Sequence, residues 1–418
     1  MNAMTITEKI LASHAGVESV SPGEMVQVKV DLALANDITA PLSINVFNEL
    51  GTDTVFDCDK VALVQDHFVP NKDIPSAEQA MIMKKFALEH QVTHYYDLGE
   101  AGIEHVILPE KGLVVPGDVV IGADSHTCTY GALGAFSAGV GSTDLGVILA
   151  TGSVWLKVPK TIKLVYDGSL GPWVGGKDLI LFTLGLIGNQ VYKTLEFSGP
   201  LMSNLPMSDR LTMANMAVEA GAKSGIFEPD EITRGYLQNR TDREGVYLSS
   251  DLDAEYDRIV AINVDDMEPQ IACPSTPDNV YPVSQVEKVA LDQVFIGSCT
   301  NGRLEDLQIA ADLLKGKSVC RGVRLIVIPG SPAVYKEAIK RGIVETLLDS
   351  GAVIGPPTCG PCLGGHMGVL AKGEKAVSTT NRNFVGRMGH AESEVYLASP
   401  AVAAASAVFG RIAGPSEL

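Results

Sequence analysis

The sequence is short of positive charge, of cysteine and of long apolar runs, and each shortage excludes something. Lys and Arg number 32 against 50 Asp and Glu, a formal net charge of −18 over 418 residues. So acidic a surface repels phosphate backbones and anionic lipid, which makes nucleic acid and membrane poor candidates for the main partner. Residues 131–143 and 179–192 carry no charge, but they are too short and too broken by glycine to cross a bilayer. The first residues include Glu8, Lys9 and His14 and hold no apolar stretch of signal-peptide length, so a cytoplasmic protein is expected. Seven cysteines, an odd count at low density, argue against a disulfide framework.

Glycine, by contrast, is abundant: 42 residues, as α/β enzymes with tight ligand-binding loops require. Length alone suggests two to three domains at about 150 residues each. In the carboxy-terminal third, short apolar runs at 294–297, 323–328, 352–354 and 375–378 read as strands. Helical periodicity occupies 304–314 and 333–341. The first third has the same pattern, with a strand at 118–122 leading into Ala123-Asp124-Ser125-His126-Thr127 and a Gly/Ala-rich helix expected over 131–151. Strand, loop and helix in alternation predict an α/β protein with mainly parallel sheets covered on both faces, whose ligands sit at the carboxyl ends of strands. Val158-Pro159-Lys160 and the proline-rich stretch 269–282 divide the chain into three expected domains, 1–159, 160–285 and 286–418.

Cys359-Gly360-Pro361-Cys362 lies after a predicted strand, and so does Cys299. A C-x-x-C alone suits a redox dithiol, half of a zinc site, or two ligands of an iron–sulfur cluster. Pro356-Pro357 before it and Gly364-Gly365 after it describe an extended loop rather than the helix that a thioredoxin-like dithiol opens. No second C-x-x-C completes a four-ligand zinc site. Three cysteines on neighbouring strand-end loops fit a [4Fe–4S] cluster with one iron open to a substrate oxygen as a Lewis acid. A zinc metallohydrolase is the other metal reading these cysteines allow.

Gly-Ser-Cys-Thr-Asn at 297–301, Thr-Cys-Gly-Pro-Cys at 358–362, Asn-Arg-Asn-Phe-Val-Gly-Arg at 381–387 and Gly-Ala-Asp-Ser-His-Thr at 122–127 together resemble the aconitase family. The likeness runs from Ile6 to the carboxy terminus. It implies three α/β/α-type domains with mainly parallel sheets around a central iron–sulfur cleft, without the family's swivelling fourth domain. Most similar are those members whose swivel domain is a separate small subunit.

The resemblance also implies roles. Cys299, Cys359 and Cys362 would hold one [4Fe–4S] cluster with an open iron, thiolates suiting iron well. Asp66 and His67 match the family's acid pair, in which a carboxylate keeps a neighbouring imidazole protonated. His105 and His126 match two further active-site histidines, with Asp124 and Ser125 placing the second, and Glu219 matches a carboxylate that contacts the oxygen at the iron. Asn381, Arg382 and Arg387 would bind the dicarboxylate, since guanidinium groups take carboxylates in a bidentate geometry. Asn36 and Asp37 are a weaker substrate-binding match. Aconitases carry Gln-Asp-Ala-Thr at this motif, and Asn for Gln argues against citrate. Cys58, Cys128, Cys273 and Cys320 match no ligand position and are expected to be small buried hydrophobes. His14, His90, His94, His366 and His390 are expected to be structural.

The implied reaction is reversible loss and re-addition of water on a hydroxy dicarboxylate. 3-Isopropylmalate in leucine biosynthesis comes first, with homoaconitate and 2,3-dimethylmalate as alternatives. The family's catalytic base is a serine of the swivel domain, so the chain alone is expected to be inactive and to need a small-subunit partner in a heterodimer or heterotetramer. A non-enzymatic, RNA-binding relative is the reading from a different class. The negative charge and the complete set of acid pair, arginines and cysteine ligands oppose it.

Overall fold

Runs of Val, Ile, Leu and Ala too short for helices become strands, and many are buried along their whole length, as sheets covered on both faces require. The computed structural model describes residues 3–418. A five-stranded, all-parallel sheet has the order His94–Tyr96, Val61–Val64, Leu32–Asn36, Val119–Gly122, Phe136–Gly139. A four-stranded parallel sheet follows in the order Ser224–Phe227, Thr194–Ser198, Thr161–Asp167, Arg258–Asn263.

The third sheet has seven strands: Val280–Pro282, Gln270–Ala272, Glu394–Ala398, Lys375–Ser378, Gln293–Ile296, Arg324–Val327 and Val353–Ile354. Gln270–Ala272 runs antiparallel to both of its neighbours, and all the other pairings are parallel. Sheet membership therefore changes before Gln270, earlier in the chain than the expected limit at residue 285. An antiparallel ribbon of Met25–Lys29 and Ser153–Lys157 completes the strands.

One buried apolar cluster touches all three large sheets. It includes Leu34, Val64 and Val120 of the first, Leu164, Leu195 and Phe227 of the second, and Phe295, Ala376 and Leu397 of the third. That shared core fixes the carboxyl ends of strands from different sheets relative to one another.

The helix expected over 131–151 is a correction. Ser125–Leu133 is a run of tighter 3₁₀ turns, Phe136–Gly139 is a strand, and only Ser142–Thr151 is α-helix. The glycines do more than allow tight helix packing. A Cβ on Gly131 would lie 1.8 Å from the carbonyl oxygen of Gly225, so the turn lies directly against another sheet's backbone, and Gly134 breaks it with φ +80°. The free cysteines need a smaller correction: Cys128 is buried, but Cys58, Cys273 and Cys320 are partly exposed. Cys58 opens the surface turn Cys58–Lys60 and Cys320 precedes the strand Arg324–Val327, where burial is incomplete.

Candidate active site

Most of the chemistry-bearing side chains lie at or just beyond the carboxyl end of a strand, while His105 and Glu219 sit within the helical turns Glu104–Glu110 and Ala217–Ala220. Val61–Val64 runs into Asp66 and His67, and Leu32–Asn36 ends on Asn36 and Asp37. Val119–Gly122 delivers Asp124, Ser125 and His126. Gln293–Ile296 delivers Cys299, Lys375–Ser378 delivers Asn381 and Arg382, and the turn after Val353–Ile354 carries Cys359 and Cys362.

Asp37 builds the acid pair. Its carboxylate accepts hydrogen bonds from three successive backbone amides, those of Asp66 (3.1 Å), His67 (2.9 Å) and Phe68 (2.8 Å). The loop so formed brings Asp66 Oδ1 within 2.5 Å of His67 Nδ1. Burial opposes charge on this imidazole, but the Asp66 carboxylate outweighs it, with help from Asp37 and Asp124. His67 is held up at about 10 and is a cation at neutral pH. The same Asp66 accepts the backbone N–H of Cys359 through its carbonyl (3.1 Å) and lies 3.2 Å from the Cys359 sulfur through Oδ1.

A second chain of groups starts at Tyr130. Its hydroxyl meets Nδ1 of His105 (2.9 Å), and Nε2 of His105 meets Asp124 Oδ1 (3.0 Å). Asp124 caps the following turn by accepting the N–H of His126 (2.8 Å). His126 Nε2 meets Glu219 Oε1 (2.8 Å), and Arg382 Nε donates to both Glu219 oxygens at 2.8 and 3.0 Å. Burial raises Asp124 and Glu219, yet their histidine partners, and Arg382 in the case of Glu219, hold both carboxyls below the ordinary range. Glu219 is no solvated helix face: its side chain is 2% exposed. Arg382 meets Glu219 through Nε alone, leaving the two terminal nitrogens outside that pairing. Asp124 and Ser125 also line a cleft of about 880 Å³ with Val218, Lys223 and Trp155.

Cys299, Cys359 and Cys362 are all buried. Ser298 Oγ lies 3.8 Å from the Cys299 sulfur and 3.9 Å from that of Cys362. Asn381 Nδ2 is 3.2 Å from the Cys299 sulfur, and Arg387 is 3.9 Å from that of Cys362. Burial and the neighbouring Cys362 push the Cys299 thiol up to about 12, and burial with Asp66 pushes Cys359 up as well. Such thiols become thiolates only with a cationic partner. Among the described residues, the three sulfurs do not fall within 4.8 Å of one another, as ligands of one ion would. Zinc–sulfur bonds of about 2.3 Å in a tetrahedron set sulfurs about 3.8 Å apart. A wider, all-sulfur donor set fits a multi-iron cluster and disfavours a single zinc ion.

Two expected residues are placed differently from the rest. Asn36 is fully buried and its amide is spent inside the fold, with Nδ2 on Glu104 (3.0 Å) and Oδ1 on the amides of Ile38 and Thr39. Asp37 is committed to the acid-pair loop. Of the histidines expected to be structural, His14 binds Asp31 at 2.7 Å, away from this site. Sequence reading missed Tyr130, Glu104, Asn215 and Lys177. Glu104 is buried beside Asp124 and Asp66, its carboxyl raised by burial and by those two charges. Asn215 bridges Thr129 Oγ1 (2.8 Å) and Asn381 (3.2 Å). Only Asn215 carried a local signal, its place four residues before Glu219.

Parallel α/β sheets that converge on three buried thiols, flanked by a protonated histidine and a histidine–carboxylate–arginine chain, define an enzyme of soft-metal and acid–base type. The chain belongs to the aconitase family (aconitate hydratase), which matches it over residues 8–290 and 284–410. Membership implies a [4Fe–4S] cluster. Its relatives include the 3-isopropylmalate dehydratase large subunit of Syntrophus aciditrophicus, 59% identical, and that of Moorella thermoacetica, 60% identical, each alignment covering 99% of both chains. The 3-isopropylmalate dehydratase large subunit 1 of Pyrococcus furiosus is 58% identical over the whole of both. Among solved structures, the holo-form of Thermococcus kodakaraensis aconitase X aligns with a TM-score of 0.50 at 13% identity, over 90% of this chain and 88% of that one, which supports the fold alone.

Proposed function

We propose that this chain is the cluster-bearing large subunit of a hydro-lyase that isomerises 3-isopropylmalate and 2-isopropylmalate in leucine biosynthesis. The observation that carries it is Asp66: one residue holds His67 protonated and touches the Cys359 sulfur, tying the proton donor to the cysteine site. Cys299, Cys359 and Cys362 would hold the cluster through their sulfurs. When bound, the cluster supplies a Lewis-acidic iron that polarises the substrate hydroxyl. His67, charged and 12% exposed at its side chain, delivers a proton to the departing hydroxide. Arg387 and the free end of Arg382 take the substrate carboxylates, with Asn381 beside them. Glu219 fixes both His126 and Arg382.

The base that removes the carbon-bound proton comes from outside this chain in this reading. A small subunit with a swivel domain provides it and closes over the site in the cytoplasm. The division into units 1–159, 160–285 and 286–418 belongs to the same proposal, with the strands Gln270–Ala272 and Val280–Pro282 of the second unit joining the sheet of the third.

Co-expression with candidate small subunits, followed by anaerobic assay on a panel of hydroxy diacids, tests the proposal. Isopropylmalate turnover by the complex and none by the isolated chain is the expected result. Turnover by the isolated chain, or preference for homoaconitate or 2,3-dimethylmalate, overturns the partner or the substrate assignment. Cys359→Ser in the same complex abolishes activity if Cys359 is a ligand.

A further inference from the structure

Lys177 is an amine side chain that neither the acid pair nor the substrate-facing arginines require, yet it is only 1% exposed. It lies in the first turn of the helix Gly176–Ile187, whose start is fixed by Asp178 accepting the N–H of Gly175 (3.1 Å) and that of Gln270 (2.8 Å). From there it crosses to the cysteine-bearing sheet. Nζ donates to the carbonyl of Thr379 (2.8 Å) and to that of Thr380 (2.6 Å), the two residues directly before Asn381 and Arg382.

Thr379 is a junction. Its carbonyl also accepts from Thr300 Oγ1 (2.6 Å), next to Cys299, and its hydroxyl bridges the N–H and carbonyl of Gly297 at 2.9 and 3.0 Å. Burial pulls the Lys177 ammonium down to about 7, and the groups that oppose this are Cys299 first, then Asp306, Cys362 and Asp178. Two of these four are cysteines assigned to the cluster, and Asp178 is already spent on backbone amides. A buried cation with no carboxylate in contact keeps its charge only if an anion nearby repays its lost hydration. Three thiolates around an iron–sulfur core are such an anion.

We propose that Lys177 is the charge-compensating positioning residue of the cluster: its ammonium offsets the negative charge of the thiolate-ligated cluster and clamps the strand end that presents Asn381 and Arg382. This rests on the assignment of Cys299, Cys359 and Cys362 as cluster ligands. A fixed positive charge beside a cluster favours its reduced, more negative form and slows ligand loss. Removing that charge makes the cluster harder to reduce and easier to lose.

The test uses the full chain reconstituted anaerobically, as wild type, Lys177→Gln and Lys177→Arg. Gln keeps a donor for the two carbonyls without the charge, and Arg keeps the charge. The readouts are the visible iron–sulfur absorption, the midpoint potential from a spectroscopic redox titration, and the rate of cluster loss to a chelator, with melts of the cluster-free forms as a folding control. Expected are a more negative potential and about tenfold faster loss in Lys177→Gln, with Lys177→Arg within twofold of wild type. Equal potential and loss rate in wild type and Lys177→Gln overturn the proposal while leaving the cysteine assignment intact. So does an equal defect in both variants, which makes shape rather than charge responsible. Failure of the wild-type chain to show the iron–sulfur band removes both.

Discussion

At the residue scale, His67 shows how neighbours decide what a side chain does. Its ordinary value of 6.5 is raised to about 10 against the pull of burial, chiefly by Asp66. A group raised in this way contributes stability that is fully present below 6.5 and is lost as pH rises through about 10. The proton donor is accordingly loaded across the neutral range. The pH profile of kcat/KM should show no acidic limb from this residue and an alkaline limb near 10. His67→Asn should lower kcat by about 10²–10⁴-fold and remove that limb, while the visible cluster absorption stays. The acid pair and the cysteines were legible because they sit in short motifs. Lys177, Glu104 and Tyr130 were not: each owes its role to partners brought alongside by folding, and Lys177 reaches carbonyls 202 and 203 residues away. Asn36 was read as facing substrate, and no local pattern could reveal that Glu104 would take its amide.

At the scale of elements, the carboxy-terminal strands and helices could be read from the sequence since each is specified by its own periodicity. The segment 123–151 could not. Glycine and alanine give no apolar period, and its turns are dictated by contact with another sheet. Gly131 tests this. Gly131→Ala puts a methyl group against the Gly225 carbonyl, pushing apart the turn that carries Asp124 and His126 and the strand Ser224–Phe227. It should destabilise the chain by about 3 kcal/mol in denaturant unfolding, the upper end of overpacking costs, and impair activity with it. Gly235 is the control. It lies in the helix Glu231–Leu237, where a Cβ would meet nothing within 4 Å. Gly235→Ala should be neutral or stabilising by about 0.5–1 kcal/mol.

For the whole molecule, the acidity that argues against nucleic acid is compatible with the proposed anion site, because Arg382 and Arg387 would act within a few ångströms, whereas surface charge is screened beyond about 10 Å. The shared apolar core holds the three sheets together with or without cofactor. Chelator treatment of the reconstituted chain should therefore lower its melting temperature, as removal of any ligand bound to the folded state does, while far-ultraviolet circular dichroism at 25 °C stays unchanged. A loss of helical signal on chelation would show that the fold depends on the cluster as zinc fingers depend on zinc.

The bond between Asp66 and Cys359 sets a schedule for making the protein. The two residues are 293 positions apart. At about 5–20 residues per second, a ribosome takes about 15–60 s to travel from one to the other. During that interval the acid pair can already be held in place by Asp37, but the cysteine loop it must meet has not yet been synthesised. On the proposed assignment, a cofactor held by all three cysteines can be retained only once Cys362 has been made, late in the chain. In that reading, iron and sulfur enter late, at a site whose acid pair was in place first.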